Sequence, residues 1–345
     1  MKSQSESAAG QFALRLFLDP TTDLDSAARQ GVSWDVLLSV ARKNVLVVRT
    51  WELLCKKGGT PGDEFARVAE EERARIGATV DLIEAVGKVC EDASIPFMFT
   101  KAFSHYPDMG HDVDLLVLDR AGDADQIIAG RIRMHPASSS LVNKVAGKTD
   151  YAVVGYPSPL EIHHGRLGQV GEHGAYAESL LQQRRAINMS SITTYVPRRE
   201  DEVIIQVLQR VYAHRSMRLS NVIGVIQAIR ESLDWDYVIS TTQELGVFEG
   251  LRFLIGNLNR LCLELLGEDT LDPPVARLLG AGTSRSMKLQ DGRYHFSRSA
   301  VIGLYARKLR TDLSTGRWGS AGRLCLLPPL AIMAGARTIA QGRGK

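Results

Sequence analysis

Over the first ninety or so residues apolar side chains recur at helical spacing, so this stretch reads as a set of helices. The segment from Trp34 to Leu54 is dense in apolar residues, and Pro61-Gly62-Asp63 then supplies a turn and a helix start. Phe65, Val68, Ile76, Val80, Ile83, Val86 and Cys90 follow near a helical period among charged neighbours, which predicts one long amphipathic helix. Ser94-Ile95-Pro96 ends it, and Phe97-Met98-Phe99-Thr100 reads as a short strand.

From there to about residue 197 the pattern alternates. A turn holding Tyr106-Pro107-Asp108-Met109-Gly110 leads into a strand from Asp112 to Leu118, then a polar helix from Asp123 to Ala129. Further strands are expected at Tyr151–Val154, Leu160–His163 and Ile192–Val196. Beyond Pro197 helical periodicity returns at Val203–His214, Leu219–Ile229, Trp235–Leu245, Phe248–Leu266 and Ala300–Leu313, with acidic Glu200-Asp201-Glu202 in a first turn, where the helix dipole favours them. The expectation is an α+β chain: a helical region over 1–92, a small mixed-sheet core over 93–197, and a second helical region over 198–345.

Length and composition narrow the function classes. A chain of 345 residues can hold two or three compact units, and 44% hydrophobic with 23% charged residues is ordinary for a globular protein. A net charge of +3 is too even to argue for nucleic acid. The four cysteines show no paired spacing, so buried free thiols are expected, and neither a disulfide framework nor a zinc site. The N-terminus lacks an apolar secretory core, and the apolar run from Leu324 to Ala334 is too short for a bilayer and broken by Pro328-Pro329. A cytoplasmic protein without a membrane span is expected.

The chemistry concentrates at His111-Asp112-Val113-Asp114-Leu115-Leu116-Val117. Residues i and i+2 of a strand share a face, so Asp112 and Asp114 can aim two carboxylates at one point, an arrangement that suits a hard divalent cation and a substrate phosphate. Glu161 in Leu160-Glu161-Ile162-His163-His164 is the expected third carboxylate, with His163 on its face to orient it or to bind phosphate. Lys101 and Ser104, after the first strand, supply a cation and a hydroxyl for a triphosphate. Ala146-Gly147-Lys148-Thr149 ends like a phosphate-binding loop, but Val142 stands where that loop needs glycine. The arginines at 184–185 and 198–199 read as a solvated basic face.

The order Phe97 to Ala102, Tyr106-Pro107, Gly110 to Val117 and Leu160 to His163 resembles the uncharacterised bacterial nucleotidyltransferase family of the polymerase-beta-like superfamily. In that family an apolar strand ends in Leu-Lys-Gly, a Tyr-Pro follows, and an Asp-x-Asp-Leu-Leu-Val strand precedes a Glu-Leu-His strand. The flanking helical segments look like those of the family too. The resemblance implies Mg²⁺ or Mn²⁺ held by Asp112, Asp114 and Glu161, an NTP lying across Lys101, Ala102 and Ser104 with His163 nearby, and transfer of a nucleoside monophosphate to an unidentified acceptor hydroxyl. Ala102 replaces the family glycine, so its methyl is expected to crowd the phosphates, and Asn221 stands where relatives tend to have aspartate. The acceptor is left open among a small hydroxylated molecule, a sugar and a protein side chain, and an aromatic content of 6% disfavours an RNA end. The rival reading is a catalytically silent scaffold of the same fold.

Overall fold

The computed structural model describes residues 2–118, 122–137, 141–189, 192–280 and 287–327. The apolar run from Leu324 to Ala334 lies mostly outside these residues, and the basic end Gly342 to Lys345 wholly so. The chain is α+β.

Its first part is helical: α1 Lys2–Leu18, α2 Asp25–Arg29, α3 Trp34–Asn44, α4 Val47–Lys56 and α5 Asp63–Asp92. The apolar stretch from Trp34 to Leu54 is thus two helices. α3 begins at Ser33, whose hydroxyl accepts the Val36 N–H at 3.4 Å, and stops at Val45, held in the left-handed region at φ 56°. α5 is the long amphipathic helix expected, with Asp63 and Glu64 in its first turn and Val80, Ile83 and Val86 on its buried side.

Next come β1 Phe97–Thr100, β2 Val113–Val117, α6 Asp123–Arg131, β3 Met134–Pro136, α7 Leu141–Ala146, β4 Lys148–Val153 and β5 Leu160–His164. They build a five-stranded sheet in the order β1-β2-β5-β4-β3, in which β2 and β5 run parallel and the other pairs antiparallel. Strand alternation gives the sheet two characters. Phe97, Phe99, Val113, Leu115, Val117, Leu160 and Ile162 form one apolar cluster with α5 and α6. Met98, Leu116, Asp114, Glu161 and His163 take the opposite face, toward the helices that follow.

The rest comprises α8 Gly174–Gln182, the hairpin β6 Arg185–Met189 and β7 Ile192–Val196, α9 Arg199–Gln206, a π-helical continuation Val207–His214, β8 Ser216–Met217, α10 Leu219–Arg230, α11 Trp235–Glu244, α12 Phe248–Leu266, α13 Pro273–Leu279, β9 Met287–Gln290, β10 Arg293–Phe296, α14 Arg298–Ser314 and α15 Trp318–Leu324. The part over 198–345, expected to be helical, carries a three-stranded sheet, β8-β10-β9. Its β9–β10 turn is Asp291-Gly292, both at positive φ (52° and 75°), the backbone a two-residue hairpin demands.

Phe12 and Leu14 of α1 and Leu37 of α3 share one apolar cluster with Ile223 of α10 and Leu254 and Leu258 of α12. The two helical regions, far apart in sequence, therefore hold a common core. The four cysteines are unpaired; Cys90 and Cys262 are buried, whereas Cys55 and Cys325 are exposed. No described helix is long and apolar enough to cross a membrane.

A candidate active-site cavity

The connection from β1 to β2 is held from three sides. Lys101, the first residue after β1, sits in the left-handed region at φ 64°. Farther along, the buried Asp108 carboxylate accepts the N–H groups of Val48 and Arg49 at 2.9 and 3.1 Å in the first turn of α4, and ion-pairs with Arg49 Nε at 3.1 Å. Carboxylates stabilise helix N-termini in this way. From α5, Arg75 donates to the carbonyls of Met109 and Gly110 at 2.7 and 3.0 Å. From α10, Asn221 Nδ2 donates to His105 Nε2 at 3.1 Å. So fixed, the connection carries Lys101, Ser104, Gly110 and Asp112 to the wall of a 290 Å³ cavity.

The carboxylates follow from strand register. Asp114 pairs with Thr100 of β1 on one side and Glu161 of β5 on the other. His163 Nε2 lies 3.1 Å from Asp114 Oδ1 and 2.7 Å from Glu161 Oε1, so the proton sits on Nε2, which donates to both. Asp114 is 3% exposed and His163 2%. Lys101 Nζ ion-pairs with Asp114 Oδ1, and Lys148 Nζ of β4 donates to Glu161 Oε1 at 2.8 Å. Burial works against ionisation of Glu161, but the His163 hydrogen bond and the charges of His163, Lys148 and Lys101 outweigh it and hold the carboxyl well below its usual range.

The rest of the cavity wall carries three arginines, Arg210, Arg218 and Arg293. Arg210 and His214 come from the π-helical segment, a rare element that recurs at functional sites. Arg218 precedes α10, Arg293 opens β10, and Ser220 and Asn221 lie in the first turn of α10. Asn44, wholly buried, fixes this wall: its Nδ2 donates to the carbonyls of Val40 and Gly292 at 2.8 and 2.7 Å, and its Oδ1 accepts the Leu219 N–H at 2.8 Å. Arg293 is aimed by bonds from Nε and Nη2 to the Lys43 carbonyl at 3.2 and 2.9 Å. Burial, then the repulsion of Arg218, lowers Arg210 to about 10 despite attraction from Asp114 and Asp112, so it stays charged at neutral pH. Burial and surrounding arginines push His105 down to about 3 and His214 to about 4, so both are neutral there.

Of the residues expected from sequence, Lys101, Ser104, Asp112 and Asp114 line this cavity. Glu161 and His163 stand behind Asp114, tied to it by the imidazole. Ala102 is the correction: it is 6% exposed and packed in the apolar cluster beneath the sheet, so its methyl does not face the cavity. The left-handed position in this turn belongs to Lys101. Lys148, set aside with its loop-like motif, reaches Glu161 because β4 pairs it with His163. Arg210, His214, Arg218 and Arg293 escaped sequence reading, because separate elements bring them together. Arg184 lies over the Tyr195 ring at 4.5 Å and Arg198 over Tyr237 at 4.3 Å, and neither lines the cavity.

Asp114, Glu161 and His163 each present one ligand atom, all within 4.8 Å of one another. Two carboxylates and an imidazole suit a divalent cation once the ring nitrogen facing it has given up its proton, and the nitrogen suits Mn²⁺ better than Mg²⁺. Comparison with protein-family models and with curated proteins finds no significant match.

Proposed function

We propose that this protein is a Mg²⁺- or Mn²⁺-dependent nucleotidyltransferase that moves a nucleoside monophosphate from an NTP to an acceptor hydroxyl, releases pyrophosphate and acts in the cytoplasm. One observation carries the reading: the β2–β5 register sets Glu161 behind Asp114, and Asp114 lines a cavity that Arg210, Arg218 and Arg293 also line. Asp112, Asp114 and Glu161, with His163 beside them, would hold the cation, which when bound supplies Lewis acidity at the phosphates. Lys101 and Ser104 steady the triphosphate from the strand side, and the arginines neutralise it from the helical side. The acceptor oxygen bonds to the α-phosphorus as the bond to the leaving pyrophosphate breaks, and its proton is lost to solvent, a loss that Glu161 would favour by completing the site. Charge stabilisation and in-line positioning would supply most of the rate.

The test is pyrophosphate release from NTP with Mg²⁺ or Mn²⁺ across hydroxylated acceptors, comparing the parent with Glu161→Gln. Turnover should fall about a hundredfold or more while NTP affinity changes little; unchanged turnover removes Glu161 from the site. A second reading, the silent scaffold, is favoured by Lys101 and Lys148, which already neutralise Asp114 and Glu161. It predicts that no NTP with either cation raises the melting temperature.

A further inference from the structure

The cavity wall assembles like charges at close range. Lys101, Arg210, Arg218 and Arg293 supply four cations against the two carboxylates of Asp112 and Asp114, leaving an excess of two positive charges. Arg210 donates to Gln206 Oε1 at 3.3 Å and Arg293 to a backbone carbonyl, both neutral partners. Among the described residues no carboxylate ion-pairs with either of them or with Arg218. Burial first and then Arg218 lower the pKa of Arg210, and burial first and then Arg293 lower that of Arg218, while Asp112 pulls both the other way. Such an arrangement is unfavourable until an anion of several charges enters.

Two further features aim at an anion. α10, twelve residues long, begins at the cavity. Helix N-termini attract phosphate. Ser220, in its first turn and 1% exposed, lines the cavity with a hydroxyl oxygen that has no partner. For a nucleobase the wall offers little apolar surface: among the described lining residues Val45 is the one large apolar side chain, and the rings present are the small imidazoles of His105 and His214, with no phenyl, phenol or indole. Bases bind by stacking on such surfaces.

We propose that the cavity recognises its ligand through the polyphosphate chain and not the base, so that ATP, GTP, CTP, UTP and inorganic tripolyphosphate compete for it with similar affinity. This rests on the nucleotidyltransferase reading for its biological sense, and on the cationic wall for its chemistry. A cation-bound NTP carries about two negative charges, matching the excess on the wall.

Calorimetry on the full chain, with and without Mg²⁺, tests it using the four NTPs, tripolyphosphate and adenosine. The NTPs should agree within about threefold, tripolyphosphate should fall within about tenfold of them, and adenosine should not bind. Arg218→Gln and Arg293→Gln, each checked for an unchanged far-UV spectrum, should weaken all five polyanions by a common factor of about tenfold or more. Arg218→Lys keeps the charge and should recover part of the loss. One NTP preferred by more than about tenfold, competition by adenosine, or NTP binding without tripolyphosphate binding overturns the inference. Metal-dependent but base-selective NTP binding sinks it and leaves the nucleotidyltransferase reading standing. Tripolyphosphate binding with NTP affinity indifferent to both Mg²⁺ and Asp114→Asn does the reverse, and no binding by any probe sinks both.

Discussion

Asp114 and Glu161 are direct partners across the parallel β2–β5 pair, and one imidazole nitrogen, His163 Nε2, joins them at 3.1 and 2.7 Å. Asp112, by contrast, precedes the strand, is exposed, and shares only the cavity with Asp114. The two aspartates should therefore behave differently when neutralised. Asp114→Asn removes the partner of Lys101 in a buried setting and should cost about 1–3 kcal/mol. Asp112→Asn should stay within about 0.5 kcal/mol of the parent. Both should lose metal-dependent NTP binding. Urea denaturation and calorimetry on the pair check this, and parent-like binding by Asp112→Asn would remove that residue from the site.

Ala102 and Lys101 separate packing from backbone and charge. Because the Ala102 methyl lies in the core, Ala102→Gly should leave NTP affinity within about twofold and lower stability by about 1–2 kcal/mol, from a lost methyl and added chain entropy. A several-fold gain in affinity would restore the crowding argument. Lys101→Gly and Lys101→Ala should lose nucleotide affinity equally, while alanine, unlike glycine, bears about 1 kcal/mol of left-handed strain. Melting curves and calorimetry on both resolve the two effects.

Burial first, then the charges of Arg49 and Arg210, depress the His105 pKa from 6.5 to about 3. The unfolded chain takes up a proton near 6.5 and the folded chain does not until about 3, so stability is full above 6.5 and falls as pH drops between those values. The slope is at most about 1.4 kcal/mol per pH unit, reduced by the residue's partial exposure. His105→Gln should flatten this part of the profile. Denaturation of both proteins at pH 7 and pH 5 measures it, and equal losses would assign the acid sensitivity elsewhere.

Asn44 bonds α3, the β9–β10 turn and the start of α10 at once. Asn44→Ala should cost about 3 kcal/mol and weaken tripolyphosphate binding by displacing Arg218 and Arg293. Full stability together with parent affinity would show that the cationic wall does not depend on this residue.

Local signals were legible in the chain wherever period and punctuation agreed. The α5 stripe, the strands around Phe97–Thr100, Val113–Val117 and Leu160–His164, and α12 lie where apolar spacing places them, because each buries one face whatever its partners are. Period two likewise put Asp114 opposite Val113 and Leu115. The strands β9 and β10 had a signal, Asp291-Gly292, masked by helical neighbours on both sides. The break at Val45 had none, since a valine in left-handed backbone is held by its surroundings.

What the sequence determined by itself, then, was the long helix α5, the strands β1, β2 and β5, the main helices of the C-terminal part, the α+β class and the acidic strand. Tertiary structure decided which strand lies beside β2, that Ala102 faces the core, and that Arg210, Arg218 and Arg293 line one cavity with Lys101. The reason is range: periodicity reports a residue's face on its own element, whereas register, the pairing of faces and the convergence of like charges depend on contacts between residues as far apart as Asn44 and Gly292.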